Sequence, residues 1–128
     1  MRSALDLLLV GGATELSKTL QSRLHLARVE RVADASELGP VRLAVVFLSG
    51  ASVDDMAGLP RLAQTCAVVV TVGRPPSAWP FGWGPTEHHP HESSVPELAR
   101  WIEAVALRYE AEAARLTLRR EFEDYISS

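Results

Sequence analysis

Three short apolar runs, each closed by glycine or serine, constrain this chain more than any other feature. Leu5–Val10 is almost wholly apolar and ends at Gly11 and Gly12, Leu43–Leu48 ends at Ser49 and Gly50, and Ala67–Val72 ends at Gly73. A run of this length without a polar break suits a strand whose sheet is covered on both faces, because every side chain then points into apolar surroundings. Between the runs lie stretches of helical periodicity. Leu16, Leu20 and Leu24 follow Thr14, which is placed to cap a helix. Met56, Leu59, Leu62 and Ala63 follow Ser52, with Asp54 and Asp55 suited to the positive end of a helix dipole and expected to face water. Pro60 is expected to kink or restart that helix.

The weaker segments complete the pattern. Ala27–Val32 alternates enough for a short edge strand, and Ser36–Leu38 leaves room for no more than one helical turn before Gly39 and Pro40. From Gly73 to Pro96 the composition shifts to proline, tryptophan and histidine, which predicts a loop with one short strand at Thr86–His89. A last helix begins at Pro96, turns Leu98, Ile102, Val105 and Tyr109 inward, and continues through Leu116 to Phe122 and Ile126. Unbroken, it would run for about 30 residues and roughly 45 Å, so its end is expected to leave the domain. Strands alternating with helices imply a parallel sheet with right-handed crossovers, and five short strands favour a flavodoxin-like order. The expected organisation is an α/β domain over residues 1–108 and a helical extension over 109–128.

Composition narrows the function classes. A chain of 128 residues that is 47% hydrophobic supports one core, and its thirteen Lys and Arg residues are dispersed in a chain of net charge −3, so no electrostatic footprint for nucleic acid is present. Cys66 is the sole cysteine, which fits a reducing compartment and makes the cytoplasm the expected location. No apolar run approaches the roughly 18–20 residues of a membrane span, and the first residues do not read as a signal peptide.

The order of elements resembles the receiver domain of bacterial two-component response regulators, from about Leu5 to Leu107. Set against that family, the functional positions are depleted. Receivers carry acidic residues after the first strand to hold magnesium, where this chain has Gly11 and Gly12; they carry the phosphoacceptor aspartate at the end of the third strand, where it has Phe47. Thr71 matches the family's Thr or Ser at the end of the fourth strand, and His89 followed by Pro90 stands where receivers have Lys-Pro. One of those five positions is kept. The resemblance therefore implies a pseudo-receiver, with Gly11, Gly12, Phe47, Thr71 and His89 forming a vestigial pocket. Chemistry points the same way, since aspartyl phosphorylation needs a carboxylate nucleophile and a cation held by oxygen ligands. The segment between Thr71 and His89 is shorter than in receivers and is interrupted by Pro75, Pro76, Pro80 and Pro85, so the fourth helix is expected to be short or missing.

Trp79, Phe81 and Trp83 alternate, so on an extended segment they share a face, either covering the sheet in place of a helix or anchoring a partner protein. His88, His89 and His91 with Glu87 and Glu92 gather metal-ligand side chains, but neighbours on an extended chain point to opposite sides, and no metal or other cofactor is expected. Gly11 and Gly12 lack the spacing of a dinucleotide-binding turn, and no nucleophile elbow or Cys–His pairing is evident. Cys66 reads as a core residue.

In the last helix Leu98, Ile102, Val105, Tyr109 and Leu116 mark a dimerisation stripe, flanked by ion-pair spacings such as Arg119 and Glu123. Enhancer-binding transcription activators place such a helix between a receiver and an AAA+ ATPase, and residues 119–128 resemble that approach. The expectation is a non-enzymatic regulatory and dimerisation domain, a homodimer acting on an output domain and open to a regulatory protein; a small-ligand or nucleotide-binding α/β domain is the alternative.

Overall fold

The structure is a computed structural model that describes residues 5–38, 41–79, 82–90 and 94–127, with the backbone alone at 36, 37, 67, 111–117, 120 and 127. Five strands form a single parallel sheet: β1 (Leu5–Val10), β2 (Leu26–Val29), β3 (Val41–Phe47), β4 (Cys66–Val72) and β5 (Glu87–His89). Their order is β2-β1-β3-β4-β5, the flavodoxin-like arrangement. The three apolar runs occupy its centre, with Leu9 beside Val45 and Val45 beside Val70 in register.

Alternation of side chains divides the core in two. Leu7, Leu9, Leu43, Val45, Val68 and Val70 face α1 (Thr14–Gln21) and α3 (Val95–Arg108), while Leu8, Val10, Ala44, Val46 and Val69 face a 3-10 helix (Val32–Glu37) and α2 (Val53–Thr65). On α3 the buried positions are Leu98, Ala99, Ile102 and Val105, one stripe at steps of three and four. A fully buried Leu, Ile or Val contributes roughly 1.5–3 kcal/mol, so this stripe is what holds α3 to the sheet. A charge at Ile102, which is wholly buried, would detach it.

Local details depart from the sequence reading at several points. Thr14 opens α1 but does not cap it; Ala13 occupies the N-cap without a side-chain bond, and the Ser17 hydroxyl donates back to the Thr14 carbonyl. Pro60 does not restart α2, which continues from Val53 to Thr65; lying inside the helix, it costs one internal N–H bond without ending the element. Among the described residues no α-helix occurs between β4 and β5, in line with the proline-rich composition there.

The largest departure is at the C-terminal end. A single helix of about 30 residues was expected; instead Tyr109 adopts a non-helical conformation (φ −100°, ψ 7°), and a separate helix, α4, spans Glu110–Ser127. Tyr109 packs partly against the first core and its hydroxyl donates to Glu87 of β5, which also accepts from Arg108 at 2.7 Å. These bonds hold the end of α3 against the edge strand, and α4 lies near β4 as well as α3.

Leu98, Ile102 and Val105, assigned to a dimerisation stripe, are consumed by the domain's own core and present nothing to a second copy. Tyr109 is half-buried at the helix break, and the side chain of Leu116 lies outside the described residues. Among the described residues of the extension, Leu118, Phe122, Tyr125 and Ile126 are 64–79% exposed. No helix among the described residues is long and apolar enough to cross a membrane.

Candidate functional site

The carboxyl edge of the sheet carries a cavity of about 180 Å³. Its floor is Val10, Val46 and Phe47, its near wall Gly11 and Gly12, and its far wall Ser49–Ala51, Val32, Glu30 and Asp55. The two glycines have φ of +78° and +77°, a region in which a side chain is strained. They differ in what lies beside them. A Cβ on Gly11 would meet Phe47 Cβ at 3.5 Å, an ordinary contact, whereas one on Gly12 would fall 2.7 Å from Phe47 Cε2. The Phe47 ring, almost fully buried, therefore lies directly over Gly12, and the missing side chain is what admits it.

Two side chains that the sequence reading did not place here tie the turn down. Arg28 donates from Nη2 to the Gly12 carbonyl at 2.6 Å and from Nη1 to the Glu30 carboxylate. Asp55, expected to face water, is buried instead. Its Oδ2 accepts from the Ser52 backbone N–H and hydroxyl, both at 3.0 Å, while the Ser52 hydroxyl accepts from the Asp55 N–H. Its Oδ1 accepts from the Val32 N–H at 3.0 Å and so joins α2 to the 3-10 helix. Burial pushes the Asp55 carboxyl up, but the N–H donors of Ser52 and Val32, the Ser52 hydroxyl and the nearby Arg31 outweigh it and hold the group below the ordinary carboxylate value. Asp54 remains exposed. A capping box at this point is legible in principle from Ser52 and Asp55 three residues on, since Asp can stand in for the usual Glu.

Both carboxylates at the cavity are thus occupied, Asp55 with backbone donors and Glu30 with Arg28. Among the described residues no group of three or more His, Cys, Asp or Glu is placed to hold a metal ion. The lining includes Ser49 but no histidine or lysine to activate it.

Thr71 and His89 do not line this cavity. Thr71 is fully buried, and its hydroxyl is 2.7 Å from Nδ1 of His88, its partner across β4 and β5. His88 in turn meets Trp79 edge-on at 5.9 Å, and Trp79 meets Trp83 at 5.6 Å with planes at 84°. Both tryptophans pack, half-buried, on the α2 face of the sheet, next to the core that contains Val69. They cover the ground a helix between β4 and β5 would otherwise cover. Phe81, His91 and Glu92 lie outside the described residues. His89 points the other way, its ring 4.7 Å from that of Trp101 on α3, as alternation along a strand requires.

At the opposite edge of the sheet a wider groove of about 350 Å³ runs between the ends of α1 and α3. It is bordered by two ion pairs, Arg23 with Glu103 at 3.2 Å and Arg42 with Asp6 at 3.6 Å, both solvent-exposed and so weak. Cys66 is buried, and that burial pushes its thiol up despite the Thr65 hydroxyl beside it, which suits a packing residue. No family model, curated protein or solved structure matches the chain.

Proposed function

We propose that this chain is a receiver-like regulatory domain of a bacterial, cytoplasmic signalling protein that works by binding, without phosphorylation and without being an enzyme. The observation that carries the reading is the Phe47 ring seated over Gly12, beside Gly11, at the place where the receiver pattern calls for a phosphoacceptor facing a metal site. An apolar ring there cannot accept a phosphoryl group, and the adjacent Asp55 carboxylate is committed to closing the N-terminus of α2. What the residues at this edge do instead is brace three loops against one another.

Binding then falls to other surfaces. The exposed apolar residues of α4 support self-association and contact with an output domain such as an AAA+ ATPase, and the Trp79–Trp83 segment supports docking of a regulatory protein. A nucleotide or similar ligand at the glycine turn is the weaker reading, because about 180 Å³ falls below the roughly 300–1,000 Å³ usual for such sites.

The reading predicts no mass increase after incubation with acetyl phosphate and Mg²⁺, and a dimer by light scattering that Phe122→Glu converts to monomer. A stable phosphoryl adduct on an aspartate would overturn the first part. An unchanged mass for Phe122→Glu would overturn the second.

A further inference from the structure

Nothing in the local sequence accounts for the end of α3 at Tyr109. From Glu97 to Ser128 the chain has neither glycine nor proline, and Ala106, Leu107, Arg108, Glu110 and Ala111 around the break are good helix formers. Sharp helix breaks ordinarily trace to Pro, Gly or a group inserted into the ladder. Here the Tyr109 N–H still bonds to the Val105 carbonyl at 3.0 Å, so α3 is intact up to this residue and departs only at its ψ of 7°. The break has a cost that a continuous helix avoids, because the last carbonyls of α3 and the first N–H groups of α4 lose their partners within the helix.

What the break gains lies on β5. Glu87 Oε2 accepts from Arg108 at 2.7 Å and from the Tyr109 hydroxyl at 3.2 Å, so two successive residues at the break meet one oxygen. Only a quarter of the Glu87 side chain is exposed. β5 itself is three residues long, at the edge of the sheet, and bonded to β4 alone.

We infer that residues 95–127 have two states, the broken helix described above and a single straight one, and that the Glu87 carboxylate is the latch that selects the broken state. Helix propensity favours the straight state and two tertiary bonds oppose it, which is the balance a two-state element requires. Releasing the latch swings α4 about Tyr109 and carries its far end, 18 residues and about 27 Å from the pivot, away from β4. Leu118, Phe122 and Ile126 travel with it, so the surface assigned above to an output domain takes its position from the latch. The swing itself requires neither a second copy nor the absence of phosphorylation.

Pulsed electron double resonance on the full chain measures the swing, with nitroxides at Ala104→Cys and Phe122→Cys in a Cys66→Ala background, diluted with unlabelled protein to remove distances between copies. Both sites are exposed and 18 residues apart, which is five full turns, so in a straight helix they share a face at a separation of about 27 Å. With Glu87 present the expected distance is shorter. Glu87→Ala is expected to give a main population near that full separation, because losing two hydrogen bonds shifts the equilibrium about ten-fold or more. Tyr109→Phe, which removes one bond, and Glu87→Gln, whose amide oxygen still accepts, are expected to fall between. In the straight state the amides of residues 110–113 gain helical partners, so their hydrogen exchange should slow several-fold in Glu87→Ala. Circular dichroism reports whether α4 stays helical. The same distance with and without Glu87, full separation already present with Glu87 in place, or loss of helicity in Glu87→Ala would each overturn the latch.

Discussion

Substituting Gly12 with alanine tests the packing at the centre of this account, because the structure separates two costs that usually arrive together. Gly11 and Gly12 share the same left-handed backbone, which charges an L-residue roughly 1–2 kcal/mol. Only at Gly12 does a methyl group also collide with the Phe47 ring, at 2.7 and 2.8 Å from two ring carbons. Forcing a methyl into a packed site of this kind costs about 1–3 kcal/mol more. Gly11→Ala is therefore expected to lose roughly 1–2 kcal/mol, and Gly12→Ala about 2–5 kcal/mol. With a urea slope of about 1.5 kcal/mol/M, the larger loss moves the midpoint by about 2 M. Phe47→Val removes the ring while supplying a residue well suited to a strand, so in that background Gly12→Ala should cost no more than Gly11→Ala. The coupling expected from the double-mutant cycle is the collision cost of about 1–3 kcal/mol, above the ~0.5 kcal/mol of independent sites. Equal losses at Gly11 and Gly12, or a Gly12→Ala cost unchanged by Phe47→Val, would refute the claim that the glycine exists to admit the ring.

Three further outcomes follow from the same geometry. Asp55→Asn should cost about 1–3 kcal/mol at neutral pH by weakening the bonds to Ser52 and Val32. Because the folded carboxyl is held below its unfolded value, that difference is full above the ordinary carboxyl range near 4 and shrinks as pH falls through the lower folded value; urea midpoints for both proteins at descending pH check this, and a gap that stays constant would contradict it. Thr71→Val leaves Nδ1 of His88 without its partner and should lower stability by about 1–2 kcal/mol, measured by denaturant unfolding, with no loss expected if the bond is absent in solution. Cys66 should resist alkylation by iodoacetamide in the native state and react on unfolding; rapid native reaction, followed by mass, would show the thiol to be accessible.

Much of the architecture was legible because it rests on unbroken apolar runs. The buried strands, the edge position of Leu26–Val29 and, among the described residues, the lack of an α-helix between β4 and β5 all follow from where polar residues and prolines interrupt the pattern. The break at Tyr109 was not legible, since periodicity continues across it; the hydroxyl at the break bonds to Glu87, 22 residues away in sequence. For the same reason Leu98, Ile102 and Val105 looked available for a partner when they were already claimed by the sheet.

The candidate site was read less completely. Gly11, Gly12 and Phe47 come together as expected, but Thr71 and His89 were grouped with them by strand position alone. In a strand, a shift of one residue reverses the face, so His88 rather than His89 meets Thr71. Arg28, Glu30 and Asp55 were missed because their roles depend on loops converging from separate crossovers. Asp55 carried a local signal, the Ser52 spacing; Arg28 carried none.

The most direct test of the claim that this sheet edge does no phosphoryl chemistry is a titration of ¹⁵N-labelled protein with Mg²⁺ and beryllofluoride, followed by amide shifts at Gly11, Gly12, Gly50, Asp55 and Thr71. The account predicts that these resonances stay where they are at every concentration. Saturable, Mg²⁺-dependent shifts clustered on those residues would contradict it.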